Sequence, residues 1–336
     1  MRLRIILAVT ALISLFGVTG ASAQTIKLGT LAPKGSPWFD ILQDMTAEWS
    51  AASGGSVKAR IYPGGSIGDE SDMIRKMRIG QLQGAVLTSE GLGRIVPEIR
   101  VLQLPMWYRS DDELDFVRTG LTAEFEALFE ERGFKVLNWG DIGWVRLFTR
   151  SPAPSPTALQ PLKLFCWVGD QKICEAWERQ GFSPVPLAFT DIFSGLQSGM
   201  IDAVFTAPVP ALSYQWFGLA NQMTDVKVIK MIGATIITMK TWKKIPEAMR
   251  PQVLAAAAEA GRRSDERIRG FEEQSIEVMR EYGLSVHSLT PELRQAWETR
   301  SKDAYPVLLD GVVPTELLAR ARQLREKHRG QRARID

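Results

Sequence analysis

The chain has 336 residues, 45% of them hydrophobic and 24% charged, with a formal net charge of +3 at neutral pH. Near-balanced charge, with no basic run interleaved with aromatics, argues against a nucleic-acid partner. Two histidines and two cysteines fit no metal-ligand spacing, and no phosphate-cradling glycine motif occurs, so neither metal nor cofactor is expected.

Arg2 and Arg4 precede an apolar run from Ile5 to Val18, followed by Ala21-Ser22-Ala23. A positive start, a short apolar middle and an A-x-A signal predict a secretory signal peptide over residues 1–23, cleaved near Ala23, and a periplasmic location. The run falls short of the roughly 20 residues that span a bilayer. Loss of the two arginines takes the charge from +3 to +1. The remaining length exceeds what one core usually serves, so two lobes are expected.

The mature start alternates strand and helix. Strands are predicted at Thr25–Leu31, Val57–Tyr62 and Leu82–Thr88, and helices at Pro37–Ala52 and Glu70–Ile79, with Ser36 as N-cap and Pro37 at the first helical position. This order predicts a mostly parallel sheet with helices on both faces, and ligands in such folds bind beyond the carboxyl ends of strands. A Pro/Ser-rich turn at 151–161 precedes a second alternating unit: strand 162–168, helix 170–180, a strand near Val185, helix 190–198 and strand 201–205. A strand at Gly233–Lys240 leads into a long helical tract from Pro246 to Tyr282, then outer helices over Pro291–Arg325. The expected division is lobe I from 24–146 plus about 233–275, and lobe II from 147–232 plus about 276–336, joined by crossing strands and the long helix. The basic tail after Arg325 reads as a solvated end.

Gly64-Gly65-Ser66-Ile67-Gly68 satisfies the G-x-S-x-G pattern of a secreted serine hydrolase. Pro63 and two glycines hold Ser66 away from the strand end that a nucleophile elbow requires, and the base would have to be His287 or His328. A glycine-rich turn is the better reading, and the chain is not expected to be an enzyme. Cys166 and Cys174 stand eight residues apart, a spacing compatible with a disulfide or with two buried thiols.

Two lobes joined by crossing strands can close on a small molecule between them. "LKLFCWVGD" places Phe165, Cys166 and Trp167 at a strand end, either as core or as the wall of such a cleft. An interaction module that docks a protein through these aromatic residues is the alternative.

The chain resembles the extracytoplasmic solute-binding subunits of tripartite ATP-independent periplasmic (TRAP) transporters, the dicarboxylate type. The likeness runs through "IKLGTLAPKGSPW", "YPGGSIGDESDMIRKMRIGQLQGAV", "LQLPMWYRSDDE", "PTALQPLKLF", "GFSPVPLAFTDIFSGLQSGMIDAVFTAP" and "TWKKIPEAMRPQV", in order. It implies a periplasmic binding protein, expected to be monomeric, that captures a small organic acid and hands it to a membrane permease. The resemblance also makes the Ser66 block structural.

By the same resemblance, Arg146 in the crossing segment matches a ligand-facing arginine. Phe165 stands where the family keeps its main carboxylate-binding arginine, and Val168 where an Asn is frequent. Phe189 matches a stacking aromatic, Thr88 and Ser89 the polar strand end of the first lobe, and Thr206 a position near a frequent amide; Ala32, at the carboxyl end of the first predicted strand, is expected to line the site as well. A planar guanidinium pairs two carboxylate oxygens at once, so its replacement by a phenyl ring points to a different solute. With Trp167, Trp107 and Trp144, the expectation is an aromatic-lined cleft for a larger, more hydrophobic carboxylate held at one end by Arg146.

Overall fold

The computed structural model describes residues 24–333, so the expected signal peptide lies outside the described residues. In chain order the strands are β1 Gln24–Thr30, β2 Val57–Tyr62, β3 Gly84–Thr88, β4 Phe134–Trp144, β5 Arg146–Thr149, β6 Lys163–Trp167, β7 Ser183–Leu187, β8 Ala203–Thr206, β9 Gln222–Thr224, β10 Lys230–Thr238 and β11 Ser285–His287. The helices are α1 Pro37–Ala52, α2 Glu70–Arg78, α3 Ser89–Ile95, α4 Asp111–Glu131, α5 Pro156–Leu159, α6 Gln171–Arg179, α7 Ile192–Ser198, α8 Pro208–Ser213, α9 Met239–Lys244, α10 Arg250–Glu281, α11 Pro291–Leu309 and α12 Thr315–Arg332.

These elements form two helix-flanked sheets, one of order β2-β1-β3-β10-β4 and one of order β11-β9-β5-β8-β6-β7. The opening strands behave as their pattern predicts: β1 pairs in parallel with β2 and β3. Both sheets are nevertheless mixed. β10 runs antiparallel to β3 and β4, and β5 antiparallel to β8 and β9, because the chain crosses between lobes and returns.

Helix α1 shows how local signals set an element. Ser36 accepts the Phe39 N–H at 3.4 Å, Pro37 occupies the first turn, and Phe39, Leu42, Met45 and Trp49 bury one face at three-to-four-residue spacing.

The hinge is made of three strands of chain. β4 passes through Val145 into β5, and the return passes through Val228 and Ile229 into β10. The two cross side by side, with Val145 N–H donating to Ile229 O at 2.8 Å and Val228 N–H donating to Val145 O at 3.0 Å. The third is α10, 32 residues and about 48 Å long, which packs on α1 and β4 of the first lobe and α8 of the second. Gly261 permits that crossing, since a Cβ there would lie 2.5 Å from the Trp139 carbonyl.

Arg146 opens β5 of the second sheet, directly after Val145. The C-terminal segment splits: α11 packs on α6, whereas α12 returns to α4 of lobe I. There Arg329 pairs with Glu113, and the Arg325 guanidinium lies 4.1 Å from the Trp107 ring centroid. The Trp107 ring provides a cation–π face for that arginine.

Cys166 and Cys174 form a disulfide with Cα atoms 5.9 Å apart, tying the end of β6 to α6. Closing so short a loop is worth about 2.5 kcal/mol in the chain-entropy account. Reduction with dithiothreitol is therefore expected to lower the melting temperature by several degrees, a shift that Cys174→Ser reproduces and that reductant does not enlarge.

Candidate ligand-binding site

The carboxyl ends of β1 and β3 face those of β6 and β8 across the lobes, and a cavity lies between them. It encloses about 1040 Å³ of non-atom space, open solvent at its mouth included. Thr30, Ala32 and Thr88 line it from lobe I, and Phe165, Trp167, Phe189 and Thr206 from lobe II.

The lobe II wall is aromatic. Phe189 stacks on Trp167 with centroids 5.4 Å apart, and meets Tyr214 and Trp216 edge-on at 5.1 and 5.0 Å. Tyr214 and Trp216 stack on each other at 5.0 Å. They can do so two residues apart because Gln215 between them adopts a left-handed φ of 58°, a conformation that costs a non-glycine residue about 1–2 kcal/mol. Trp38 closes the lobe I side, its indole N–H donating to Asp141 O at 3.1 Å.

The lobes are in contact across this cleft. Asp69 Oδ1 caps α2 by accepting the Glu70 N–H at 2.7 Å, while Oδ2 accepts the Trp167 indole N–H and the Phe189 N–H, each at 3.1 Å. Tyr214 donates its hydroxyl to Leu31 O, Arg94 donates to Val168 O, and Arg100 pairs with Asp170 at 2.7 Å. One buried carboxylate thus serves as both helix cap and lobe-to-lobe tether.

Among the described residues, no lysine or arginine lines the cavity. Its ionisable carboxyls are Glu70 and Asp141. Asp141 is countered by Lys230 at 2.6 Å and Arg269 at 3.0 Å. Glu70 is fully buried; it accepts the Thr88 N–H at 2.6 Å and bonds the Thr88 hydroxyl at 2.9 Å. Burial pushes its pKa from 4.5 up to about 8, with Asp69 adding to the rise against the opposing Thr88 hydrogen bonds. Near neutral pH, Glu70 therefore holds its proton and does not repel an anion.

The sign of the pH effect follows. The folded chain holds a proton on Glu70 that the unfolded chain loses above about 4.5, so this contribution to stability is complete below that pH and gone by about 8. Across the window its slope is at most about 1.4 kcal/mol per pH unit. Acidification from pH 8 to pH 6 is expected to raise the melting temperature, and Glu70→Gln to remove Glu70's share of that rise.

Several expected site residues lie elsewhere. Arg146 is 1% exposed; it donates from Nε to Asp225 at 2.8 Å, pairs with Glu272 and Glu273, and donates to Trp144 O. Its guanidinium is thus engaged by three carboxylates at the hinge and is absent from the cavity lining. Trp107 lies under α12, and Trp144 donates to Asp111 at 3.1 Å. Val168 is 42% exposed at the cleft's outer edge, and Ser89 is buried behind Thr88 without lining the cavity. Ser66 has neither imidazole: His287 bonds Gln222 at 2.9 Å and His328 lies against Phe116.

Sequence reasoning missed Trp38, Asp69, Glu70, Tyr214 and Trp216. Asp69 before a helical run carries an N-cap signal, but its second oxygen has no local partner to betray it. Tyr214 and Trp216 stand in "SYQWF", where nothing in the pattern separates cleft from core.

Comparison with known proteins agrees with this architecture. A solute-binding protein of Roseobacter denitrificans is 26% identical over 242 residues, covering 71% of this chain and 74% of that protein. A TRAP periplasmic solute-binding protein from Ralstonia eutropha, solved with (S)-2-acetolactate, superposes with a TM-score of 0.84 at 20% identity, covering 90% of this chain and 99% of that one. One from Sulfurospirillum deleyianum, solved with succinate, gives the same TM-score, identity and coverage. The model of bacterial extracellular solute-binding protein family 7 matches residues 28–309. The chain belongs to that family, the solute-binding proteins of TRAP-type transporters.

Proposed function

We propose that this protein captures an organic acid with a large apolar or aromatic body in its interlobe cleft and, acting as a monomer in the periplasm, hands it to the membrane permease of a TRAP transporter. The observation that carries the reading is the wall of Trp167, Phe189, Tyr214 and Trp216 facing a cavity that no lysine or arginine among the described residues lines. The Ralstonia and Sulfurospirillum relatives hold small, hydrophilic acids. A ring-lined cleft favours a solute that gains from dispersion and desolvation, about 1.5–3 kcal/mol for each large apolar group buried.

In this reading, hydroxyls and amides meet the carboxylate. Thr30, Thr206 and Asn138 line the cavity and supply such groups, and the neutral Glu70 spares the ligand a repulsive neighbour. Phe165, Trp167, Phe189, Thr88, Thr206 and Ala32 form the contact set, with Trp38, Tyr214 and Trp216 added.

Thermal shift tests the reading. A ligand at a hundredfold excess over its Kd adds about 2.7 kcal/mol to stability, enough for several degrees in Tm. Phenylacetate and octanoate are expected to stabilise the protein more than succinate. Strong stabilisation by succinate with no response to either apolar acid overturns the reading.

A further inference from the structure

Behind the Phe165–Trp167 wall lies a second cavity, about 1030 Å³ of non-atom space with open solvent at its mouth included. Phe165, Trp167, Phe205 and Met231 line both cavities, so one layer of side chains divides them. The second is walled from both lobes: Arg100 comes from the 3-10 turn Pro97–Gln103 of lobe I, Trp177 from α6, and Trp297 and Arg300 from α11.

Its apolar surface is a set of packed rings. Trp177 stacks on Phe205 with centroids 5.2 Å apart and planes 6° from parallel, and Trp297 meets Phe205 edge-on at 6.2 Å. Against these rings stand polar atoms without partners. Arg100 Nε and Gln180 Oε1 are both buried and make no hydrogen bond. Gln180 is 9% exposed and lines the cavity. Burying a donor or acceptor unpaired is costly, so such atoms mark a place that something else completes.

The charges are also out of balance. Arg100 pairs with Asp170 at 2.7 Å, and the half-buried Arg300 has no carboxylate within ion-pair distance among the described residues. Glu90, the carboxyl that lines the chamber, is buried, and burial together with the neighbouring Asp170 raises its pKa. Beside the Arg100–Asp170 pair, Arg300 is thus left with a positive charge and no counter-ion, leaving room for one negative charge.

We propose that this chamber is a second ligand site, which takes an apolar monocarboxylate with its carboxylate at Arg100 and Arg300 and its body against Trp177, Phe205 and Trp297. It goes beyond the cleft reading and does not depend on it. Because the two arginines come from different lobes, an occupant binds the closed arrangement in preference to an open one and shifts the population toward closure.

Equilibrium dialysis with radiolabelled octanoate counts the sites. Arg300→Gln removes the unpaired cation from a half-buried helix position without opening a core cavity, and Ala304→Trp fills the chamber from the same helix. Phe189→Ala removes a ring that lines the cleft and does not line the chamber, and circular dichroism checks that each variant is folded. The expected result is two octanoates per wild-type chain. Arg300→Gln weakens one of them by about tenfold or more, in line with loss of a charged hydrogen bond, and Phe189→Ala weakens the other. One octanoate, lost in Phe189→Ala and kept in Arg300→Gln, overturns the second site and leaves the cleft reading intact. One octanoate, kept in Phe189→Ala and lost in Arg300→Gln, supports the chamber and overturns the cleft reading. Absence of binding to millimolar concentration overturns both.

Discussion

Replacement of Arg146 by methionine is expected to lower the melting temperature by about 10 °C while leaving the ligand affinity of the folded protein unchanged. The side chain is 1% exposed and sits where β4 passes into β5, with Glu272 of α10, itself only 9% exposed, as its most buried partner. Methionine preserves volume but leaves Glu272 as a buried charge without a counter-ion. Breaking a buried pair from one side typically costs about 3–5 kcal/mol. The double variant Arg146→Met with Glu272→Met should recover most of the loss, because both charges then go together. Differential scanning calorimetry and ligand titration separate two roles for this arginine. A large fall in affinity with little change in melting temperature would assign it to the ligand, as the family resemblance implies. The expected pattern assigns it to the hinge, where it ties the crossing strand to the long helix.

Phe165→Arg should have the largest effect on specificity. Phe165 lies in β6, 8% exposed and lining the cleft, in the position where the resemblance places a carboxylate-binding arginine. A guanidinium there gives a small dicarboxylate a bidentate partner and removes ring surface from an apolar acid. Each change is worth about 1.5–3 kcal/mol, or roughly ten- to a hundredfold in Kd. The variant is expected to gain affinity for succinate and to lose affinity for phenylacetate by such factors. Without ligand it should melt several degrees lower than the parent, since the new charge is buried without a partner, and succinate should restore the difference. Isothermal titration of both acids against both proteins measures the crossover. An unchanged order of preference would show that residue 165 does not decide which solute is taken.

These two substitutions mark the limit of what resemblance carries from one chain to another. A matching arginine, Arg146, is placed among three carboxylates, whereas the mismatched Phe165 lies in the cleft lining. The identity of a side chain is local information. Whether its functional end meets a solute or a neighbouring carboxylate depends on residues such as Asp225 and Glu272, which lie 79 and 126 positions away.

The sequence by itself determined the elements whose causes are local. Ser36-Pro37 started α1, alternation set β1 to β3 in parallel order, and the Pro/Ser-rich turn marked the entry to the second unit. Together with the family resemblance it also singled out Phe165, Trp167, Phe189, Thr88, Thr206 and Ala32, which line one cavity. The tertiary structure alone decided the rest. The antiparallel insertion of β10, the return of α12 to lobe I and the double duty of Asp69 each depend on contacts between segments far apart in the chain. The protonated state of Glu70 is of the same kind: carboxyl chemistry is common to every glutamate, but complete burial beside Asp69 and Thr88 exists only once the lobe has folded.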